Sequence, residues 1–296
     1  NWITNHQKFY SFVIMKKIYF ILILILLNFN FAYADKDITN LKMKPSVNKG
    51  KIGKAYEIIE TESGEPVIGQ RAYKFLAIPF DCGHGGSKHT DCGDLKNKNK
   101  KSYLAKGDRV RSELSSADNT FRGEHWFSFS IYIPKDYQSI YPTITSFYQI
   151  YEKNKGPVLK IEDHYGIMTA SIMIKGKLIT KKKLLKIDEM RGKWTHVIMH
   201  NKFSKKWDEG FYKFWINSDL KAGYKGETYA GSSKGLYVKA GIYQTYISRY
   251  LKVIGMDPNW KKNQPAGKFP TQIIYMDNIF KAKSEEILIK LINDAK

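Results

Sequence analysis

Trp126-Phe127-Ser128-Phe129-Ser130-Ile131-Tyr132-Ile133-Pro134 alternates: Phe127, Phe129, Ile131 and Ile133 fall on one side, and Trp126, Ser128, Ser130 and Tyr132 on the other. A period of two places the first set against a core and predicts a half-buried strand. Similar runs recur at 70–78, 144–151, 157–162, 194–203, 211–217, 236–243 and 271–280, broken by Gly, Asn, Asp and Lys clusters. Many strands without intervening helical periods predict an all-β fold, an antiparallel sandwich of jelly-roll type and not a parallel α/β sheet. Only the tail predicts a helix: Ser284 can cap it, Glu285 and Glu286 suit its positive end, and Ile287, Leu288, Leu291 and Ile292 form one stripe. The stretch 176–187, GKLITKKKLLKI, reads as a lysine-rich strand or hairpin extension, either a solvated loop or an arm reaching over an anionic chain.

The 296 residues carry 49 Lys+Arg against 28 Asp+Glu, a net charge of +21, with 43% hydrophobic and 14% aromatic residues. A chain this apolar can bury a core, which sets disorder aside. The positive balance points to an anionic partner, although only six of the basic residues are Arg and the lysines can equally be a solvated background. At the N-terminus, Met15, the basic pair Lys16 and Lys17, ten apolar residues from Ile18 to Leu27, and Ala32-Tyr33-Ala34 make the three parts of a secretory signal peptide. Residues 1–14 then precede the expected start. Ten apolar residues are too few to span a bilayer. Cleavage after Ala34 leaves one expected domain, 35–296, and removes three lysines and no acids, taking the charge from +21 to +18. The expected location is therefore secreted or periplasmic, where polysaccharide is a more available polyanion than nucleic acid.

Three strand motifs carry polar groups on one face. In Arg109-Val110-Arg111-Ser112-Glu113-Leu114, the residues Arg109, Arg111 and Glu113 share a side while Val110 and Leu114 point to the other. Guanidinium forks suit carboxylate or sulfate recognition, and a surface ion-pair ladder is the plainer alternative. In Tyr148-Gln149-Ile150-Tyr151, Gln149 and Tyr151 share a face; a mid-strand amide needs partners, which a substrate carboxyl would supply. In Tyr237-Val238-Lys239-Ala240-Gly241-Ile242-Tyr243, the residues Lys239, Gly241 and Tyr243 lie on one side, and the glycine leaves room for a sugar between the other two.

In this order the motifs resemble the polysaccharide lyases of β-jelly-roll fold, particularly the heparin lyase I and glucuronan lyase group, with more distant similarity to jelly-roll alginate lyases. The pattern runs from an R-x-E-L strand (Arg111 to Leu114) through W-x-x-F-S-x-Y-x-P (Trp126 to Pro134), Q-x-H, a Trp-led strand and G-x-x-x-x-W-x-N (Gly210 to Asn217) to K-x-G-x-Y (Lys239 to Tyr243). It covers roughly residues 105–280. The resemblance implies a concanavalin-like sandwich that cleaves a uronate polymer, sulfated or not, by β-elimination, working as a monomer and needing no cofactor. It makes Tyr243 the catalytic tyrosine, Lys239 the lysine beside it, and Gln149 and Arg111 the carboxylate-binding and subsite residues. Arg109, Glu113, Tyr237, His84 and His125 are then expected to line the groove. One departure stands out: the histidine of Q-x-H falls on Tyr151. Either Tyr243 serves as base and acid, its pKa lowered by Lys239 and Arg111, or His84 or His125 reaches the site. A non-catalytic carbohydrate-binding jelly roll is the alternative that this departure leaves open.

The two cysteines, Cys82 and Cys92, read first as a disulfide closing a small loop in an exported protein, and secondly as a zinc site with His84 and His89. Asp208, Glu209 and Asp277 are candidates for a structural calcium site. Gly231-Ser232-Ser233-Lys234-Gly235 spells G-x-S-x-G, but a strand follows where a nucleophile elbow needs a helix. The paired carboxylates of jelly-roll glycoside hydrolases are absent, which favours elimination over hydrolysis.

Overall fold

The computed structural model describes residues 38–46, 56–78, 91, 108–256 and 269–295. The described residues all belong to one compact unit, Ile38–Lys296. Its strands are β1 (Lys44–Pro45), β2 (Glu57–Glu60), β3 (Arg71–Ala77), β4 (Arg109–Ser115), β5 (Glu124–Tyr132), β6 (Ile144–Glu152) and β7 (Gly156–His164). They continue with β8 (Ile167–Ile174), β9 (Lys177–Lys186), β10 (Trp194–Lys202), β11 (Phe211–Ile216), β12 (Asp219–Lys225), β13 (Leu236–Thr245) and β14 (Gln272–Ala282). Two antiparallel sheets result, in the orders β1-β4-β13-β6-β7-β8-β9 and β12-β11-β10-β5-β14-β3-β2. This is the expected all-β jelly-roll sandwich. Among the described residues no helix is long and apolar enough to cross a membrane.

The core forms where the alternating faces of the sheets meet. Phe127, Phe129 and Ile131 from β5 are fully buried, as are Ile150 of β6, Ile161 of β7 and Val238 and Ile242 of β13. Tyr148 and Phe129 stack with centroids 4.7 Å apart, joining the two sheets. Removing these rings from water contributes on the order of 2 kcal/mol each. The even positions of β4 and β13 face this core, so their odd positions are left to the opposite, open face of the first sheet.

The stretch 176–187 settles as the ten-residue edge strand β9, paired along its length with β8. Lysines on an edge strand oppose further strand addition. The C-terminal helix α2 (Glu285–Asp294) is capped by Ser284, whose Oγ accepts from the Ile287 N–H at 3.4 Å. Leu288 is buried, and Leu291 and Ile292 pack with Trp126 and Ile198 on the outside of the second sheet. Ile287 departs from the expected stripe and is 49% exposed.

A second helix, α1 (Ile247–Val253), has no counterpart in the sequence reading. Its cap comes from a distant strand end: the Ser248 N–H and Oγ donate to the Asp108 carboxylate at 3.0 and 2.5 Å. A cap supplied from 140 residues away leaves no local signal.

Gly241 also needs a different explanation from the sequence one. Its φ is +125°, and a Cβ there would lie 2.3 Å from the Ser112 carbonyl oxygen, 2.8 Å from the Phe75 ring and 2.9 Å from the Glu113 Cα. The register of β13 against β6 slips between Ala240 and Tyr243, an extra residue on β13. The glycine thus serves a bulge pressed against β4 and the core, not the approach of a sugar.

Two measurements check these packing arguments. Gly241→Ala combines strain with overlap and should cost about 2–4 kcal/mol in denaturant unfolding. Asp277 on β14 is 5% exposed, and burial pushes its carboxyl up to about 7, against the pull of the Asn278 N–H. Between the unfolded value near 3.8 and the folded value near 7 the folded state holds the extra proton, so stability falls as pH rises through that window. Asp277→Asn should therefore gain on the parent protein as pH rises from 4 to 8, by on the order of 2–4 kcal/mol in unfolding free energy.

Candidate active site

The open face of the first sheet brings together residues that the sequence spreads from Arg109 to Tyr243. Strand pairing sets Lys239 opposite Gln149, Gln149 opposite Lys160, and Tyr243 opposite Arg111. Gly241 lies opposite Glu113. Adjacent strands are about 4.8 Å apart, so these groups form a continuous polar floor.

Glu113 is its centre. The carboxylate is 2% exposed, accepts from Gln149 Nε2 at 2.6 Å and pairs with Lys239 Nζ at 3.0 Å. Gln149 thus has a partner within the protein, since Glu113 satisfies one of its N–H groups. A carboxamide has two N–H donors, and an ammonium three, so both retain hydrogens for a ligand. Lys239 also donates to Ser46 Oγ at 3.2 Å and lies 5.3 Å from the centroid of the Tyr151 ring.

Asp91 is the second buried carboxylate, 1% exposed. Arg111 grips it from Nε at 2.8 and 3.0 Å and from Nη2 at 2.6 Å, and Arg109 Nε lies 3.7 Å away. Burial works against the Arg111 charge, but Asp91 more than compensates and holds the guanidinium firmly protonated. The fork expected to bind a substrate carboxylate is therefore turned to an internal one. Arg109 Nη1 donates to Tyr243 Oη at 3.4 Å, and the Arg111 guanidinium lies 5.7 Å from the centre of the Tyr243 ring.

Burial raises the Tyr243 pKa above its ordinary value, with Arg109 and Arg111 pulling down and Glu113 pushing up. The expected net lowering is thus overturned: desolvation of a phenolate exceeds the help of two guanidiniums. Tyr243 is a neutral phenol at pH 7, fit to donate a proton. Tyr151 and Tyr237, rings 5.3 Å apart, flank Lys239 on the same face and are likewise raised by burial.

Histidine does not fill the gap at Tyr151 in the expected way. His125 sits on β5 of the other sheet, facing inward among Phe121 and Phe127, with Nε2 2.9 Å from the Arg122 carbonyl oxygen. Burial, helped by the charges of Lys283 and Lys281, holds its pKa down to about 4. His125 is therefore a core-edge residue, and the substrate-binding expectation for it is wrong. His84, Cys82 and Cys92 lie outside the described residues.

Among the described residues no group of three or more His, Cys, Asp or Glu side chains could hold a metal ion. Glu209 pairs instead with Lys206 at 2.6 Å, and Asp277 is buried on β14. Sequence reading missed Asp91, Ser46 and a third buried acid, Glu162. Asp91 stood in the cysteine stretch without any spacing that tied it to Arg111. Glu162 faces the same floor from β7, and strand pairing alone would have revealed it.

A family model described as polysaccharide lyase matches residues 68–280. No curated protein matches the sequence. Among solved structures, the chain is similar to an endo-β-1,4-glucuronan lyase from the fungus Trichoderma reesei, at 13% identity over 79% of this chain and 92% of that one, TM-score 0.49. It is also similar to a polysaccharide lyase family 7 alginate lyase, at 14% identity over 83% and 95% of the two chains, TM-score 0.46. A cellulose-induced protein, Cip1, aligns at 10% identity over 82% and 91%, TM-score 0.45.

Glu113→Gln provides the test of the floor's electrostatics. It leaves the Lys239 ammonium, whose side chain is 12% exposed, without its counter-charge. Unfolding free energy should drop by about 2–3 kcal/mol. An unchanged denaturation midpoint would show that the pair contributes no stability.

Proposed function

Because the chain belongs to the polysaccharide lyase family, we propose that its substrate is a 4-linked uronate polymer, cut by β-elimination on the open face of the first sheet. The observation that carries this reading is that Arg109 and Arg111 flank the phenol of Tyr243 while Lys239 and Gln149, tied to Glu113, stand on the same face of the neighbouring strands. A uronate C5–H is not acidic while the adjacent carboxylate keeps its charge. Lys239 and the second N–H of Gln149 can neutralise that charge and stabilise the enolate-like transition state.

The proton inventory then rests on Tyr243. As phenolate it takes the C5 proton; the C4–O bond breaks as the 4,5 double bond forms; and the phenol returns the proton to the departing glycosidic oxygen. No net proton is consumed. Arg109, donating to Oη, and Arg111 beside the ring favour the phenolate, while burial opposes it. Tyr151, in the histidine position, packs on Lys239 and helps fix its direction.

The segment Met15–Ala34 supports export, and an anionic polysaccharide outside the cytoplasm suits that location. In the same setting a Cys82–Cys92 bridge would close its short loop.

Purified protein is incubated with glucuronan, alginate and heparin while the absorbance of the unsaturated product is followed. A rise on at least one is expected, and no rise on any uronate polymer would sink the reading. Tyr243→Phe should lower kcat by about a thousandfold or more with the thermal midpoint retained. Since the phenolate is the minor form below the ordinary value of 10 and grows with pH, kcat/KM should climb steadily from neutral pH through about pH 9. A plateau near pH 7 would instead point to a base of histidine type.

A further inference from the structure

Glu162 on β7 is 1% exposed, on the same polar face of the first sheet, and no step of the elimination uses it. Strand pairing places it two strands from Tyr243, through Ser146 of β6. Two donors hydrogen-bond it, Lys160 Nζ of β7 at 2.7 Å and Ser171 Oγ of β8 at 2.5 Å, and Lys181 Nζ of β9 forms an ion pair with it at 3.5 Å. Burial alone would raise the Glu162 pKa; the two lysines and Ser171 outweigh it and hold the carboxyl below its ordinary value. The group is therefore ionised at neutral pH, and the cluster holds two cations against one anion.

One lysine suffices to neutralise a buried carboxylate. Lys181 nevertheless leans inward from the edge strand, where solvent is available, and its side chain is only 28% exposed. The outcome is an excess positive charge held in place on the groove floor, with both ammoniums fixed by a carboxylate that cannot turn outward. Ammoniums so positioned retain donors for a further acceptor.

We propose that Lys160 and Lys181, gathered on Glu162, form a second carboxylate-binding subsite of the groove. It rests on the uronate reading above and specifies which sugar is gripped. Lys160 lies directly across from Gln149, two strand spacings or about 10 Å from Lys239. A 4-linked pyranose chain crossing the strands advances roughly one sugar per spacing of ~4.8 Å. The subsite thus takes the carboxylate of a sugar about two residues from the one over Lys239, and it rewards chains with regularly repeated uronates.

The test uses the Tyr243→Phe protein, so that turnover does not consume the ligand, and oligomers of the polymer that the cleavage assay identifies. Calorimetry at low salt compares a disaccharide with a hexasaccharide. The hexasaccharide should bind more tightly, and Lys181→Met should reduce that ratio about tenfold, the effect of one charge-assisted hydrogen bond. Lys181→Arg should restore it, and raised salt should erase it. Because Lys160 still satisfies Glu162, Lys181→Met keeps the buried acid paired; Lys160→Met is the second variant, and thermal midpoints verify folding in both. If both oligomers bind and the ratio is the same in parent and both lysine variants, the subsite is overturned and the uronate reading stands. If neither oligomer binds, the subsite is overturned, and the uronate reading is decided by the cleavage assay alone.

Discussion

A buried carboxylate facing a lysine and an amide, Glu113 with Lys239 and Gln149, is the contact on which the rest of the groove depends. Glu113 stands on β4, Lys239 on β13 and Gln149 on β6, so one side chain fixes the functional groups of three adjacent strands. A charge buried to this degree is tolerated only when paired and hydrogen-bonded. The pairing supplies both stability and aim. Asp91 plays the same part for Arg111, and Glu162 for Lys160 and Lys181. Three acids thus lie beneath a basic surface, and each orients cations that would otherwise sample many rotamers.

This arrangement changes how the positive charge is understood. A net +21 in the sequence is mostly lysine, and its bulk value says little about chemistry. The groove cations matter because they are immobilised. Arg111 illustrates the point: its planar fork matches a carboxylate, but that carboxylate is Asp91, and the guanidinium acts on the site through its field on Tyr243. Burial nevertheless dominates the phenol, so the ring is better prepared to give a proton than to take one.

Much of the architecture was legible because strands with one buried face write a period of two. Phe127, Phe129 and Ile131 declared their side, and the same parity put Arg111, Glu113, Gln149, Lys239 and Tyr243 together on the open face. Parity failed where contacts are non-local. It could not say that Gln149 meets Glu113, that Asp91 lies under Arg111, or that Asp108 caps a helix after β13. Gly241 was read as room for a ligand because its φ and its neighbours cannot be seen in a string of letters. His125 was misread for a related reason: a histidine beginning a strand can be on either sheet, and here it is on the one opposite the groove.

The order β4-β13-β6 makes assembly of this protein an all-or-none affair. β13 lies late in the chain yet inserts between two strands synthesised well before it, pairing with both. Until it arrives, β4 and β6 each present an unpaired edge, and Glu113 has no lysine to face. Loop closure over such separations must precede the contacts that reward it, which slows folding and leaves those edges open to other chains. A polypeptide cut short before Leu236 would accordingly be an aggregation hazard and not a weaker enzyme, and a nascent chain profits from remaining unfolded until its last third has emerged.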